Sequence, residues 1–199
     1  MIKETIDKLP EQLNTIRTLK RVSEDTTNKE FMVDSNLKVI NFDQFSKKYS
    51  SKFHLPVQPK TNDALYIDQD GKWTFIEFKN GDMKPADIYR KLYDSLIMLN
   101  EFEFVSWEFS RKNITYILVY NEDEYNSQYG ENLQVSTSRT KIYNGIRNRA
   151  NQTRNLYNLK KLEGYLFESI YTYNQDEFKA KFVEKYEKLE AEMEGQQIS

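Results

Sequence analysis

Two acidic residues and a lysine in the segment 61–80, TNDALYIDQDGKWTFIEFKN, have types and a spacing that could do chemistry. Glu77 and Lys79 lie two apart in an apolar stretch, so on a β-strand their side chains project from the same face. Asp63 precedes a second apolar stretch. Two carboxylates, the backbone carbonyl of Phe78 and water would make an oxygen-rich site that suits Mg²⁺ or Mn²⁺. Such a metal polarises a phosphate ester and activates water, and Lys79 could orient or deprotonate that water or stabilise charge on the phosphate.

The site depends on the turn that joins these two strands. A two-residue turn at Asp70 and Gly71 would pair position 63 with position 78 and send Asp63 to the face opposite Glu77. A three-residue loop of Gln69, Asp70 and Gly71, with Gly71 in the left-handed conformation, would instead pair Asp63 with Glu77. A common site therefore requires the three-residue loop. In that register one face carries Asp63, Leu65, Ile67, Trp73, Phe75, Glu77 and Lys79, and the other carries Ala64, Tyr66, Thr74, Ile76 and Phe78.

Composition excludes several classes of function. The 199 residues include no cysteine and one histidine, His54, which excludes disulfides, thiolate metal sites and most histidine-based catalysis. No run approaches the roughly 18 apolar residues of a membrane span. The first residues, MIKETIDKLPEQL, lack the apolar centre of a signal peptide, and we expect a cytoplasmic location. With a formal net charge of -2, a nucleic-acid-binding function would need locally concentrated positive charge.

The remaining elements alternate between helix and strand patterns. Helices are predicted over 3–21, after Asn41 as N-cap, over 86–99 behind Pro85, and over 178–194. Further strands are predicted at 113–120 and 164–173, residues 37–40 are a short apolar run, and 121–132 is expected to be a polar loop. This order predicts a single α/β domain with a central mixed β-sheet flanked by helices. It would comprise an N-terminal helical extension (1–34), a core (35–120) and a C-terminal basic segment, strand and helix (121–199).

The sequence NDALYIDQDGKWTFIEFKNG, followed by DIYRKLYDSLIML, resembles the core of the PD-(D/E)XK nuclease superfamily over about residues 40–120. The resemblance implies a restriction-endonuclease-like core and Mg²⁺- or Mn²⁺-dependent cleavage of DNA, or less often of RNA. Matched residue by residue, Asp63 is the Asp of the motif, Glu77 the second acid and Lys79 the lysine. Asp63, Glu77 and the carbonyl of Phe78 would then be the metal ligands.

Three implications of the resemblance, and the role of Asp94, stay open at the level of sequence. Many members add a Glu from the first core helix, for which Glu30, Asp43 and Glu11 are the candidates. Lys91, in the helix after the strand, either projects toward the site as a further catalytic residue, as Lys or Gln does in some members, or is solvated. Small enzymes of this fold often dimerise to cut both strands, so a homodimer is one alternative for this chain. Asp94 either pairs with Lys91, caps a buried tyrosine or contacts substrate.

Positive charge is concentrated in the segment 136–161, which contains no acidic residue. Its basic residues, with Tyr143 and Tyr157 between them, would suit a phosphate backbone. They are Arg139, Lys141, Arg147, Arg149, Arg154, Lys160 and Lys161. The alternative is a solvated, partly helical segment that balances the acidic C-terminal helix. Binding that weakens steeply with ionic strength would distinguish phosphate contacts from that alternative.

The sequence therefore predicts a metal-dependent endonuclease that acts on DNA, with Asp63, Glu77, Lys79 and Lys91 as its catalytic residues. A second interpretation comes from another class of function. The chain would then be a catalytically silent member of the fold that binds nucleic acid or another protein, of immunity or antidefence type. The lack of a clear Glu in the first core helix favours this second interpretation.

Overall fold

Six strands lie side by side in one sheet in the computed structural model, which describes residues 14–81, 84–129 and 156–196. In spatial order they are β1 (Ile16–Thr18), β4 (Lys38–Asn41), β5 (Ala64–Ile67), β6 (Trp73–Lys79), β7 (Ile114–Tyr120) and β8 (Ser169–Asn174). Neighbouring strands from β1 to β6 are antiparallel, whereas β7 and β8 run parallel to β6. A separate hairpin pairs β2 (Glu24–Asp25) with β3 (Glu30–Phe31).

Helices cover both faces of this sheet. In chain order they are α1 (Leu19–Val22), α2 (Phe42–Lys52), α3 (Pro85–Glu101), α4 (Trp107–Asn113), α5 (Glu122–Tyr129), a 3₁₀ segment (Leu156–Leu162), α6 (Gln175–Phe178) and α7 (Glu184–Gln196). A π-helical turn, Lys179–Val183, joins α6 to α7. The predicted α/β class, with one domain and a mixed sheet flanked by helices, is confirmed. None of the helices in these described ranges combines the length and the apolar character that a membrane crossing requires.

The two faces of the sheet have separate cores. On the front face, Leu65 and Phe75 pack with α2, α3 and the 3₁₀ segment. On the back face, Tyr66 and Ile76 pack with residues of the C-terminal helix, α6 to α7. Strands β5 to β7 are therefore covered on both sides, which explains their nearly continuous apolar sequences.

Capping residues begin the helices where the sequence predicts. Asn41 ends β4 and accepts a hydrogen bond from the backbone N–H of Gln44 at 2.9 Å, which starts α2. Pro85 occupies the first turn of α3, where its missing N–H costs no hydrogen bond. These two helix starts place α2 and α3 on the front face, beside the end of the β5–β6 hairpin.

The β5–β6 hairpin has the register that the site requires. Leu65 pairs with Phe75 and Ala64 with Ile76, so the next positions outward, 63 and 77, face each other. The N–H of Gly71 donates to the carbonyl of Asp68 at 3.2 Å, and Gly71 has a φ of 73°, in the left-handed region. The predicted three-residue loop and its alternation of faces are confirmed.

Replacing Gly71 by alanine is expected to lower the free energy of unfolding by about 1 kcal/mol, because a Cβ disfavours the left-handed conformation. No atom lies within 4 Å of the position that this Cβ would take, so the cost is conformational. Gly81→Ala is the matched control, since its Cβ also meets nothing within 4 Å and its φ lies outside the left-handed region. Urea unfolding of both variants tests this, and equal stabilities would contradict the assigned turn.

Several predicted elements differ from the structure. The helix predicted over 3–21 is wrong for Ile16–Thr18, which form edge strand β1 because β4 offers a free edge for pairing; residues 1–13 lie outside the described ranges. The predicted polar loop after β7 instead begins with helix α5. The side chain of Asn121 caps that helix, since it accepts from the N–H of Asp123 at 3.1 Å. The last strand begins at Ser169, five residues later than predicted, because residues 164–166 form a turn.

Candidate functional site

Four charged side chains meet at the end of the β5–β6 hairpin. The ammonium of Lys91 lies 3.0 Å from Oδ1 of Asp63 and 2.7 Å from Oε1 of Glu77. The ammonium of Lys79 lies 2.8 Å from the same Oε1 of Glu77. The two carboxylates therefore converge on one cation, with a second cation beside it. All four residues that the sequence singled out for catalysis lie together, although their roles stay predictions.

Backbone hydrogen bonds hold Asp63 in place. Its N–H donates to the carbonyl of Ile76 at 3.1 Å, and its carbonyl accepts from the N–H of Phe42 at 3.1 Å. Its Oδ2 accepts from the N–H of Phe78 at 2.7 Å, which turns Oδ1 toward Lys91. Asp63 is thus fixed to β6 by both its backbone and its carboxylate.

Glu77 is completely buried, with 0% of its surface exposed. Both ammonium groups contact its Oε1, and its buried Oε2 has no hydrogen-bond partner among the described residues. Burial, reinforced by the charge of Asp63, raises the pKa of Glu77 to about 7, although Lys91 and Lys79 oppose this shift. A carboxyl group with an unpartnered oxygen in the interior is costly, and such groups occur most often at functional sites.

Lys91 and Tyr116 belong to the same buried electrostatic unit. Burial lowers the pKa of Lys91 because it disfavours the charged form. The carboxylates of Asp63 and Glu77 have a larger, opposite effect, so the pKa of Lys91 lies above its usual value. Burial also raises the pKa of Tyr116, and Glu77 and Asp63 add to this effect. The hydroxyl of Tyr116 is buried and, within the described residues, has no hydrogen-bond partner. Lys91 is therefore the cation that balances the buried carboxylates.

A cleft of about 360 Å³ opens beside these residues. Its lining includes Lys79, Lys91 and Asp43, but neither Asp63 nor Glu77. Partial desolvation, together with the charge of Asp63, raises the pKa of Asp43, and the hydroxyl of Thr61 donates to Asp43 Oδ1 at 3.1 Å. Asp43 lies in the first turn of α2. Of the three acids considered for a contribution from the first core helix, Asp43 lines the cleft, Glu30 lies on exposed strand β3, and Glu11 is outside the described residues.

The carboxylates fit a hard divalent cation in three respects. They already hold one positive charge between them, as Lys91. The unpartnered Oε2 of Glu77 would be a further oxygen ligand. The carbonyl of Phe78 faces the Asp63 edge of β6, because carbonyls alternate between the two edges of a strand and that of Ile76 accepts from Asp63. No group of three or more His, Cys, Asp or Glu residues suited to metal binding occurs in the described part of the chain, so waters and substrate would complete the coordination.

Two cleft residues were missed by the sequence reasoning. Lys60 Nζ lies 2.5 Å from Oδ1 of Asp87, and both side chains line the cleft. Asp87 lies four residues before Lys91 on α3, and this spacing on one helix face is the signal that could have identified it. Among the described residues Asp94 neither pairs with Lys91 nor caps a tyrosine: its Oδ2 accepts from the N–H of Lys60 at 3.0 Å and contacts Arg90 at 3.5 Å.

The residues proposed for nucleic-acid binding are only partly described. Lys160 forms an ion pair with Glu163 and lies 5.5 Å from the ring centroid of Tyr171. Lys161 lies over the ring of Tyr89, 5.0 Å from its centroid. The others, Arg139, Lys141, Arg147, Arg149 and Arg154, lie outside the described residues. Nucleic-acid binding by this segment stays a prediction.

The burial of Glu77 predicts a pH dependence of stability. Burial raises the pKa of Glu77 to about 7 in the folded chain from its ordinary value of 4.5, so between these values the folded state keeps a proton that the unfolded state has lost. The free energy of unfolding should therefore fall as the pH rises from about 5 to about 8, by on the order of 3 kcal/mol from this residue.

Comparison with Glu77→Gln isolates this contribution, because glutamine has the same shape and does not titrate. Urea unfolding of both proteins, without divalent metal, should give stability curves that diverge as the pH rises. Parallel curves would show that Glu77 does not titrate with a raised pKa.

Comparisons of the chain with protein-family models, with curated proteins and with solved structures gave no match. Arguments about function therefore depend on the geometry of this site.

Proposed function

We propose that this protein is a metal-dependent phosphodiesterase that cleaves DNA. One observation carries the proposal: the carboxylates of Asp63 and Glu77 converge on a single cation, 3.0 and 2.7 Å from its nitrogen, with Lys79 beside them at an open cleft. A buried glutamate that shares a cation with a second, partly exposed carboxylate, next to a second lysine, is a costly arrangement for stability alone. Their combination suits the cleavage of a phosphate ester, whose negative charge both a metal and lysines can neutralise.

Each residue of the site would have a separate role in the cleavage reaction. Asp63, Glu77 and the carbonyl of Phe78 would hold Mg²⁺ or Mn²⁺, which when bound supplies charge neutralisation of the phosphate and a water of lowered pKa. Lys79 lines the cleft and would orient the attacking water or donate to a phosphate oxygen. Asp43, at the mouth of the cleft, would accept hydrogen bonds from water or take a proton, since its pKa is raised by partial desolvation and by the charge of Asp63.

The order of elements also supports the proposal. The antiparallel β5–β6 hairpin is followed by helix α3 and, after the short helix α4, by parallel strand β7, and the acids lie at the end of the hairpin. The resemblance to the PD-(D/E)XK superfamily implies this order for its core. Membership of that superfamily remains part of the proposal.

The direct test combines metal binding with cleavage. Calorimetry should detect Mn²⁺ binding to the purified protein, and supercoiled plasmid should be nicked when Mg²⁺ or Mn²⁺ is present but not in excess chelator. No Mn²⁺ binding at about millimolar concentration, together with no nicking, would refute the proposal. Nicking that survives both Glu77→Ala and Lys79→Ala would indicate a contaminant or another site.

Lys79→Met should lower the nicking rate about a hundredfold, because one donor to the reacting phosphate or water is lost. Its affinity for Mn²⁺ should stay within about twofold, since methionine removes no oxygen ligand. Lys188→Met is the matched control, because Lys188 is exposed on α7, on the back face of the sheet. A large loss of Mn²⁺ affinity in Lys79→Met would give Lys79 a structural role instead.

The position of Lys91 favours a second candidate function. Its ammonium occupies the position between Asp63 and Glu77 that a divalent cation would take, and it could serve as a permanent replacement for the metal. The chain would then be a catalytically silent module that binds nucleic acid or another protein. In that case Mn²⁺ would bind the Lys91→Met variant but not the native chain.

A further inference from the structure

A second positively charged surface lies next to the cleft, in the segment 47–60. Between Asp43 and Asp63 the chain has no acidic residue but contains Lys47, Lys48, Lys52 and Lys60. In a chain with 31 acidic residues and a net charge of -2, this concentration of positive charge is local. Lys47, Lys48 and Lys52 lie exposed on α2, in its second half.

The end of this segment forms one wall of the cleft. Gln58, Pro59 and Lys60 line the cleft together with Lys79 and Lys91. The wall is fixed to the core, because the hydroxyl of Ser46 donates to the carbonyl of Pro59 at 2.8 Å. Further along, the N–H of Asn62 donates to the hydroxyl of Ser95 on α3 at 3.0 Å. A ligand in the cleft would therefore continue directly onto this segment.

The tip of the segment exposes apolar side chains. Val57 is 67% exposed, Phe53 40% and Leu55 37%. Of the eight large hydrophobic side chains exposed in the described part of the chain, these three lie within five consecutive residues. His54 adopts a left-handed conformation, with a φ of 50°, and turns the chain outward after α2. Such a cluster on a hydrophilic protein marks a contact surface.

One lysine of this surface lies close to aromatic rings. Lys52 Nζ lies 5.6 Å from the ring centroid of Phe53 and 4.6 Å from that of Phe102. Lys47, one turn after Asp43, is near enough for its charge to act on that carboxyl at the mouth of the cleft. Positive groups for phosphates, interleaved with apolar and aromatic groups for base faces, are the combination that binds single-stranded nucleic acid.

We propose that the segment 47–60 binds a single-stranded stretch of DNA as it leaves the cleft, with Lys47, Lys48 and Lys52 on phosphates and Phe53, Leu55 and Val57 on bases. The inference deepens the proposed function, on which it rests, by naming the form of the substrate. In duplex DNA the faces of the bases are stacked inside the double helix, so they cannot contact the apolar side chains at the tip of the segment.

The test measures binding of a fluorescently labelled single strand, and of its duplex, by anisotropy over a range of salt concentrations. Glu77→Gln serves as the background so that cleavage does not interfere. Adding Lys47→Gln, Lys48→Gln and Lys52→Gln should weaken single-strand binding about tenfold or more and reduce the slope of log affinity against log salt by about 2. The matched control changes Lys181, Lys185 and Lys188 on the C-terminal helix to Gln, with the same change in net charge. This control should bind the single strand with an affinity within about twofold of that of the background protein.

Substitutions in the apolar tip should affect DNA binding differently from substitutions of the lysines. Leu55→Ser combined with Val57→Ser should weaken single-strand binding about tenfold, with an unchanged salt slope and unchanged duplex binding. Because both side chains are exposed, thermal unfolding should be unaffected. A lysine variant that binds like its control, or a tip variant with unchanged single-strand affinity, overturns the proposed surface.

Failure of this surface and failure of the proposed function are distinguishable. If the background protein binds DNA and the native chain cleaves it, but the lysine variant matches its control, only the surface is refuted. If the native chain does not cleave DNA but the lysine variant and the tip variant both weaken single-strand binding as expected, the surface is supported and the phosphodiesterase activity is refuted. If the background protein binds no single strand, the surface is refuted whatever the activity.

Discussion

If the chain has the proposed phosphodiesterase activity, Glu77→Gln is expected to abolish it, lowering the rate by about a thousandfold or more. Glutamine keeps the shape and one carbonyl oxygen but loses the negative charge, and with it most of the attraction for a divalent cation. Because Glu77 is 0% exposed, no other side chain or water can easily replace it. The fall in activity should be accompanied by a loss of Mn²⁺ binding measured by calorimetry.

Stability should change in the opposite direction from activity. The free energy of unfolding of Glu77→Gln should equal or exceed that of the native chain at about pH 8, because a buried ionised group has been removed. Glu184→Gln is the control for the change in net charge, since Glu184 is exposed at the start of α7 on the back face. A Glu77→Gln variant that is folded, stable and still as active as the control would refute the assignment of Glu77 as a ligand.

Lys91→Met is expected to lower the free energy of unfolding by about 3–5 kcal/mol at about pH 8 without divalent metal. Lys91 contacts both Asp63 and Glu77, and methionine fills its space without supplying the charge. The loss should shrink at about pH 5, where Glu77 becomes protonated because its pKa is about 7. Urea unfolding of the native and variant chains at both pH values measures this difference.

Two further measurements separate this effect from a simple packing defect. The double variant Glu77→Gln with Lys91→Met should recover most of the loss, since removing both members of a buried pair costs less than removing one. Mn²⁺ should stabilise Lys91→Met more than the native chain, because the metal no longer competes with an ammonium group. A double variant as unstable as the sum of the two single variants would show that Lys91 and Glu77 are not coupled.

The same experiment distinguishes the two candidate functions. If the native chain binds Mn²⁺ despite Lys91, the ammonium moves aside and the site is available for catalysis. If only Lys91→Met binds Mn²⁺, Lys91 is a permanent counter-ion and the silent-module interpretation is favoured. Because Lys91 Nζ lies 3.0 Å from Asp63 Oδ1 and 2.7 Å from Glu77 Oε1, a divalent cation that bound between these two oxygens would have to displace the ammonium.

The sequence alone was sufficient to predict the β5–β6 hairpin, but it left two turns open. The structure has the three-residue loop, with Gly71 at its left-handed position, and this register sets Asp63 opposite Glu77. The information that predicts the hairpin is local, because period-two alternation and the turn residue are both contained in about twenty residues. The caps at Asn41 and Pro85 are local for the same reason.

Tertiary structure decided which groups complete the site. Whether Lys91 is solvated or bound to two carboxylates depends on how α3 packs against the sheet, and its spacing on the helix leaves both outcomes open. The same holds for Asp43, which reaches the cleft because α2 crosses the front face beside Thr61. Ile16–Thr18 became a strand because the free edge of β4 was available, although their local pattern also fits a helix. Contacts between segments distant in the chain outweigh local preferences in these cases, and only the folded chain brings those segments together.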